Sequence, residues 1–571
     1  MKCTVYYNDS FENPTPNKMT FFDTLYFDYK VVEDGNTSRL NLYVHPKEKI
    51  TLSKVVLEIP YNFQTQDRVF GNGFQSCSHS KMFGIHEEVP QIMGIAKRYF
   101  QYYGDEHLFN DNKPSLYSWT YGYVQRGGQY YFVGSTSETT AFSYIEYDVT
   151  SNLIKVIKLC DDIELSHSFP VFEIIVCQGP EKFVFDTYFN ETPKFDETTK
   201  STIGWTYSNR YFNDKSVDQI VQDLGSFSAL SEISPISDNE RVFQIGDGYQ
   251  KTIGDWLDPN ANFSEGVSQW PQKIKAKNIV PGIWIAPFIC SKSSKIYNQQ
   301  KDWLLKDKNG QLLKVGYKKE WGGWYFALDI YHAKVRDYLT EVFFTLTNKW
   351  GFEIINADLL FAAMLAPPRD KTKAQVMHDA MSFLEQLIGK RRLFVGGVPL
   401  GSAFHKATYC RIAPNIHLAW DHKLLKFFRF RERTSSLNAL RTIINRRQLN
   451  KRIFLNDPGE FTIREQKHQL GSNKEYTKLL IQVLFGSRIT STDDWEQYDE
   501  HAINEIKGLI QLLDSQILGV QEPSTDYYQV SFKKERHFVA HINLNDSKLI
   551  VTGLKDSFEL DPFESLVLKK D

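Results

Sequence analysis

The sequence has few cysteines and no pattern among them. Cys3, Cys77, Cys160, Cys177, Cys290 and Cys410 are scattered, with no C-x-x-C pair and no histidine cluster at metal-ligand spacing. A disulfide framework and a Cys/His metal site are therefore not expected, and free thiols suit a reducing, cytoplasmic setting. No apolar run reaches the roughly 18 residues that read as a membrane-spanning helix. The opening MKCTVYYNDSFENPTP lacks the apolar stretch of a secretory signal, so export is not expected either. An excess of one charge is also missing: 67 Lys and Arg stand against 69 Asp and Glu, a net −2. That balance provides no basic field for nucleic acid and no polybasic patch for a membrane.

What is present is a globular composition, 42% hydrophobic and 24% charged, over 571 residues. Such a length is expected to divide into two to four domains. Residues 1 to about 190 read as strands: TLYFDYKVV, SRLNLYVHP, SKVVLEIPY, QYYFVGSTS, NLIKVIKL and FPVFEIIVCQ, separated by turns such as EDGN and RGG. No long helical period interrupts them, which predicts a β-sandwich over 1–190.

Near Pro193 the pattern changes. Eight apolar runs follow: IGWTYSN, VFQIGD, VPGIWIAPF, FEIINAD, LFVGGV, YCRIAPN, RIFLND and RITSTDD. Amphipathic stretches lie between several of them, including HAKVRDYLTEVFFTLTNKW, KAQVMHDAMSFLEQLIG and EYTKLLIQVLFG. This alternation predicts an α/β fold, a (β/α)₈ barrel over 195–515. Many runs end in a polar residue: Asn209, Asp247, Asp358, Asn415, Asp457 and Asp494. Barrel chemistry sits at the C-terminal ends of strands, although an Asp or Asn there also commonly caps the next helix. After residue 522, DYYQVSF, RHFVAHINL, KLIVTGL and SLVLKK predict a small antiparallel β domain over 522–571.

Several of these segments, taken in order from about Gly204 to Asp494, resemble bacterial α-galactosidases (melibiases) of glycoside hydrolase family thirty-six. QIGDGYQKTIGDWLDPNANFSEG is similar to the second-strand signature, in which two aspartates precede a glycine and an aromatic. GIWIAPF resembles the third-strand motif. WGFEIINADLLFAA resembles the fourth, which ends in a Lys-x-Asp signature bearing the nucleophile. CRIAPN, IFLNDPGEFTIRE and ITSTDD resemble the sixth to eighth. The resemblance also includes a β-sandwich before the barrel and a β domain after it. It implies a retaining α-glycosidase acting on an α-galactoside oligosaccharide or glycoconjugate. No metal or organic cofactor, nucleic acid or membrane is implied, and a homo-oligomer is compatible with it. Asp358 takes the nucleophile position and Asn415 the acid/base position. Asp247, Trp205, Trp256, Trp284, Asn356 and Arg411 are the implied sugar contacts. A tryptophan at a strand end offers a face for a sugar ring, or else packs in the barrel core. Arg411 pairs with Asp358, holds a substrate hydroxyl, or belongs to a structural ion pair.

Three positions depart from the family pattern. Asn415 stands where the acid/base aspartate belongs, Asn356 where the lysine two residues before the nucleophile belongs, and Gly246 where the first of the paired aspartates belongs. The segment GWTYSNRYF also lacks a second tryptophan. An amide has no titratable proton and cannot serve as general acid or base. Two readings follow: a glycosidase with altered catalysis, whose proton comes from His417, Asp421 or Tyr409, or an inactive relative that binds carbohydrate or serves a structural role.

Overall fold

The computed structural model describes residues 1–8, 17–21, 27–87, 116–192, 195–196, 198–207, 217–233, 239–263, 265–414, 416, 420–428, 433, 435–461, 472–493, 495–552 and 557–570. Asn209, Asn415, His417 and Asp494 lie outside the described residues.

The N-terminal part is two antiparallel sheets packed face to face. One has six strands in the spatial order Asn17–Phe21, Lys2–Asn8, Ile50–Pro60, Leu153–Leu165, Phe142–Asp148 and Leu116–Trp119. The other has seven, in the order Phe27–Asp34, Thr37–Val44, Phe169–Gly179, Gln129–Ser135, Tyr121–Arg126, Arg68–Gly71 and Lys81–Gly84. Period-two alternation explains the packing: Leu40, Leu42 and Val44 point inward while Asn41 and Tyr43 face water. The Tyr147 hydroxyl crosses between sheets to donate to the Phe70 carbonyl. The segment closes with a feature the strand reading missed, a helix over Glu181–Asn190. Its Val184, Phe185, Tyr188 and Phe189 follow the helical spacing and are buried, with Phe185 and Tyr188 packed on Phe132 in the middle of the seven-stranded sheet.

The central part is a parallel barrel. Its strands are Thr202–Thr206, Glu240–Ile245, Val280–Ile285, Ile354–Ala357, Arg392–Val395, Tyr409–Arg411, the divided seventh strand Leu455–Asp457 and Glu460–Phe461, and Arg488–Ser491. All eight predicted runs are here. The ring closes through the seventh strand, which is broken at Pro458-Gly459: its first half pairs with strand six and its second half with strand eight, which in turn pairs with strand one. Glycines on strands one and three leave room for large polar groups. A side chain at Gly282 would meet Gln244, and one at Gly204 would meet Thr490. Gln244 then accepts from the buried Arg488 at 2.8 Å. Crossover helices wrap the strands, including Ala333–Phe344, Lys373–Ile388, Ser436–Asn445 and Ser472–Phe485. No described helix is long and apolar enough to cross a bilayer.

Between strand three and strand four lies a three-stranded antiparallel insertion, Ile289–Ser291, Lys314–Lys318 and Gly323–Ala327. The C-terminal part is a four-stranded sheet, Gln516–Ser524, Tyr527–Lys533, His537–Asn543 and Ser565–Lys569, with a separate ribbon of Leu549–Thr552 and Ser557–Leu560.

Arg446, at the end of the Ser436–Asn445 helix, ties the sandwich to the barrel. Its guanidinium is fully buried and donates to the Asn72 amide oxygen and to the carbonyls of Gly73, Gln75, Ser76 and Ile412, at 2.7–3.1 Å. Removing the donors strands several buried acceptors at once. Arg446→Met is therefore expected to lower stability by roughly 3 kcal/mol, measured by denaturant unfolding. An unchanged midpoint would refute this role.

Candidate functional site

The fourth barrel strand, Ile354–Ala357, is apolar and buried, and it delivers Asp358 to its C-terminal end. The Asp358 backbone N–H donates to the Ile285 carbonyl at 2.9 Å, which fixes this turn to the end of strand three. Leu359 then adopts a left-handed conformation, φ +54°, and its N–H donates to Asp358 Oδ1 at 2.8 Å. The Trp284 indole N–H points at Oδ2 from 3.4 Å. Gly396 and Gly397, just past strand five, make space for this carboxylate. A Cβ at Gly396 would lie 2.8 Å from Asp358 Oδ1.

A second carboxylate stands at the end of strand two. Asp247 is 7% exposed and accepts from Gln250 Nε2 at 2.9 Å, Trp321 Nε1 at 2.8 Å and Lys318 Nζ at 3.4 Å. Burial raises its pKa, against the opposing charge of Lys318 and those hydrogen bonds. Trp321 and Lys318 come from the insertion, and Lys318 lies over the Trp321 ring at 4.1 Å. Trp321 and Trp284 have ring centroids 6.1 Å apart. The two indoles thus form a bridge, each donating to one carboxylate. Tyr325, also on the insertion, packs edge-on against Trp321; burial and then the charge of Asp358 push its phenol up to about 12.

The third charged group is a self-neutralising network. Arg411, at the end of strand six, pairs with Asp457 Oδ1 at 2.7 Å and Glu460 Oε1 at 2.7 Å, and Arg488 pairs with Asp457 Oδ2 at 3.1 Å. Burial opposes the Arg411 charge, and Glu460, Asp457 and Asp358 together more than restore it. Burial works to raise the Glu460 pKa, yet Arg411 outweighs it and holds the carboxyl low. Glu460 is therefore an ionised acceptor, not a proton donor. Asp358 has no ion-pair partner among the described residues; two neutral N–H donors hold its carboxylate, and the Arg411 charge acts on it from farther away.

Residues 203–383, from the first barrel strand through the Lys373–Ile388 helix, match the Melibiase family. The match spans the first four of the eight barrel strands. Solved structures agree on the fold. TtGalA, the α-galactosidase of Thermus thermophilus in complex with p-nitrophenyl α-D-galactopyranoside, is 19% identical with a TM-score of 0.68, over 88% of this chain and 98% of that one. The GH36 α-galactosidase AgaA of Geobacillus stearothermophilus is 12% identical with a TM-score of 0.62, over 92% and 75% of the two chains. An α-galactosidase from Lactobacillus brevis is 11% identical with a TM-score of 0.62, over 99% and 84%.

Within the barrel, contacts link Asp247, Trp321, Trp284 and Asp358 in one run, with Arg411 close enough for its charge to be felt at Asp358. Asn356, two residues before Asp358, is 9% exposed, and its side-chain amide has no hydrogen bond to a described residue. Two expectations need correction. Trp205 is 0% exposed, stacked on Phe243 and donating to the Asp493 carbonyl, so it is core and offers no face to a ring. Trp256 is likewise 0% exposed and packs edge-on against Trp284. Of the alternatives open for Arg411, the ion pairs with Asp457 and Glu460 support the structural one. Two of the alternative proton donors also fail. Tyr409 is buried in the barrel interior, where it accepts from Arg392. Asp421 is held by Arg433 at 2.6 and 2.8 Å, and those bonds outweigh burial and keep its pKa low.

Gly246 is more than a missing carboxylate. A Cβ there would lie 2.6 Å from the Tyr207 carbonyl oxygen, and the Tyr207 hydroxyl donates to the Gly246 carbonyl at 3.1 Å. The backbone at Tyr207 therefore leaves no room for a side chain at 246. Trp321, Lys318, Tyr325 and the Gly396-Gly397 pair were missed; only the paired glycines after LFV carried a local sequence signal. Gly396→Ala is expected to displace the Asp358 carboxylate and to lower any turnover by about 100-fold, the typical effect of a displacement near 1 Å. Steady-state kinetics on an activated aryl glycoside checks it, and an unchanged rate excludes a role for this close approach.

Proposed function

We propose that the protein is a retaining α-galactosidase-like glycoside hydrolase acting on terminal α-galactosides, with catalysis altered at its acid/base position. The observation that carries this reading is Asp358, delivered to the mouth of a barrel whose first four strands match the Melibiase family and oriented by Trp284 and the Leu359 N–H. Relatives in fold have been solved with p-nitrophenyl α-galactoside, stachyose and raffinose, which supports α-galactosides as the class to test. In the proposed reaction the Asp358 carboxylate attacks the anomeric carbon, the leaving oxygen departs, and water later cleaves the glycosyl-enzyme with net retention. Proton transfer in both steps normally falls to a second carboxyl about 5–5.5 Å away. Asn415 takes that position in the resemblance and cannot transfer a proton, so substrates with good leaving groups are the ones expected to react. The test is turnover of p-nitrophenyl α-galactoside against its β-anomer. Release from the α-anomer alone supports the reading; no release from either, with no α-galactoside binding, overturns it.

A second reading, a carbohydrate-binding relative without turnover, is favoured by one observation. The Tyr207 backbone carbonyl lies where a side chain at Gly246 would begin, so the second strand-two carboxylate of the resemblance has no room here. That reading expects sugar binding that survives Asp358→Asn.

A further inference from the structure

We propose that Lys318, carried on the insertion between strands three and four, is a specificity-determining residue that grips a hydroxyl of the terminal sugar together with Asp247; this rests on the α-galactoside reading above. A hydroxyl donates one proton and accepts through its lone pairs. An adjacent carboxylate and ammonium match both needs at once. Asp247 Oδ2 and Lys318 Nζ, 3.4 Å apart, form such a pair at the strand-two end of the site.

Three features separate this from an ordinary counterion. First, the Asp247 carboxylate already receives two neutral donors, Gln250 and Trp321, at shorter range than Lys318. Second, the Lys318 side chain keeps 24% of its surface exposed while Asp247 keeps 7%. An ammonium carries three N–H groups and can donate to a ligand oxygen as well as to Asp247. Third, the insertion is built to aim it. Lys318, Trp321 and Tyr325 interact with the site, with Tyr325 against Trp321. The neighbouring cross-strand pair Tyr317–Trp324 is solvent-exposed, with ring centroids at 5.4 Å, and lies on the opposite face of the hairpin from Lys318 and Tyr325. The cation absent at Asn356 on strand four thereby returns from a different element, beside a different carboxylate.

The test measures binding of methyl α-D-galactopyranoside and its four monodeoxy analogues by titration calorimetry. The proteins are the unaltered chain, Lys318→Met, Lys318→Arg and Tyr317→Ala. Lys318→Met is expected to weaken binding about 10- to 100-fold, as loss of a hydrogen bond to a charged group does. One deoxy analogue should lose a similar factor with the unaltered chain and lose nothing further with Lys318→Met, because the same contact is already gone. Tyr317→Ala, on the exposed pair, should bind normally. Lys318→Arg keeps the charge and should restore the fold where Met does not, while changing the rank order of the deoxy analogues. The inference is overturned if Lys318→Met binds all five sugars like the unaltered chain, or if both Lys318 variants and the unaltered chain rank the analogues identically. Absence of binding by the unaltered chain overturns the α-galactoside reading and this inference with it.

Discussion

Asp358→Asn is expected to lower turnover of p-nitrophenyl α-galactoside by about 10⁴- to 10⁶-fold, the range seen when a nucleophile is removed. The amide is nearly isosteric, so the fold should persist. Its oxygen still accepts from the Leu359 N–H, while its NH₂ faces the Trp284 indole donor, a mismatch costing about 1 kcal/mol. The thermal midpoint should therefore move by only a few degrees. Asp358→Gly adds a stereochemical readout. Emptying the position leaves room for azide on the face opposite the leaving group, next to Gly396 and Gly397. Azide should then restore release of nitrophenol and give a galactosyl azide of inverted, β configuration. Unchanged turnover in the Asn variant refutes the assignment, as does azide rescue that yields the α product.

The eight barrel strands were legible because parallel strands are buried on both faces. They read as short apolar runs such as FEIINAD and LFVGGV, and helices of clear period separate several of them. The Glu181–Asn190 helix was not, because EKFVFDTYFN is rich in residues that also suit strands. The insertion was hidden for a related reason. KVGYK and GWYFA use one face for the site and the other for an exposed aromatic pair, so no clean apolar alternation marks them. Asp358 could be placed from its own strand. The fate of Arg411 could not, because its partner Glu460 lies 49 positions away and meets it only through the break in strand seven. Trp205 and Trp284 show the same limit. Both lie inside apolar runs, and only the packing separates a core indole donating to a carbonyl from one donating to the Asp358 carboxylate.

Asn415→Asp is expected to raise the rate on an unactivated α-galactoside by up to about 10²- to 10⁴-fold, the usual contribution of a general acid–base group. Without a proton donor, an alkyl leaving group departs as an alkoxide, which is unfavourable; nitrophenolate is a stable anion and needs little help. The gain should therefore be large for melibiose and small for bond cleavage in p-nitrophenyl α-galactoside. The second step also needs a base to deprotonate water. If cleavage outruns it in the natural protein, the aryl substrate should give a burst of nitrophenol followed by slow turnover, and Asp at 415 should remove the burst. Three other candidate groups are not available as proton donors. Glu460 is held ionised by Arg411, Asp421 is held ionised by Arg433, and Tyr409 is buried within the barrel. Recovery should stop short of a full family-like rate, because the Tyr207 backbone still leaves no room for a side chain at 246 and Asn356 still lacks a charge. The added carboxyl should also bring a basic limb to the pH–rate profile, since a general acid is lost as it ionises. The natural protein should lack that limb. An unactivated substrate cleaved by the natural protein at ordinary rates, about 1–10³ per second, would mean that another group supplies the proton. Two inert forms that still bind the sugar would leave the carbohydrate-binding reading standing.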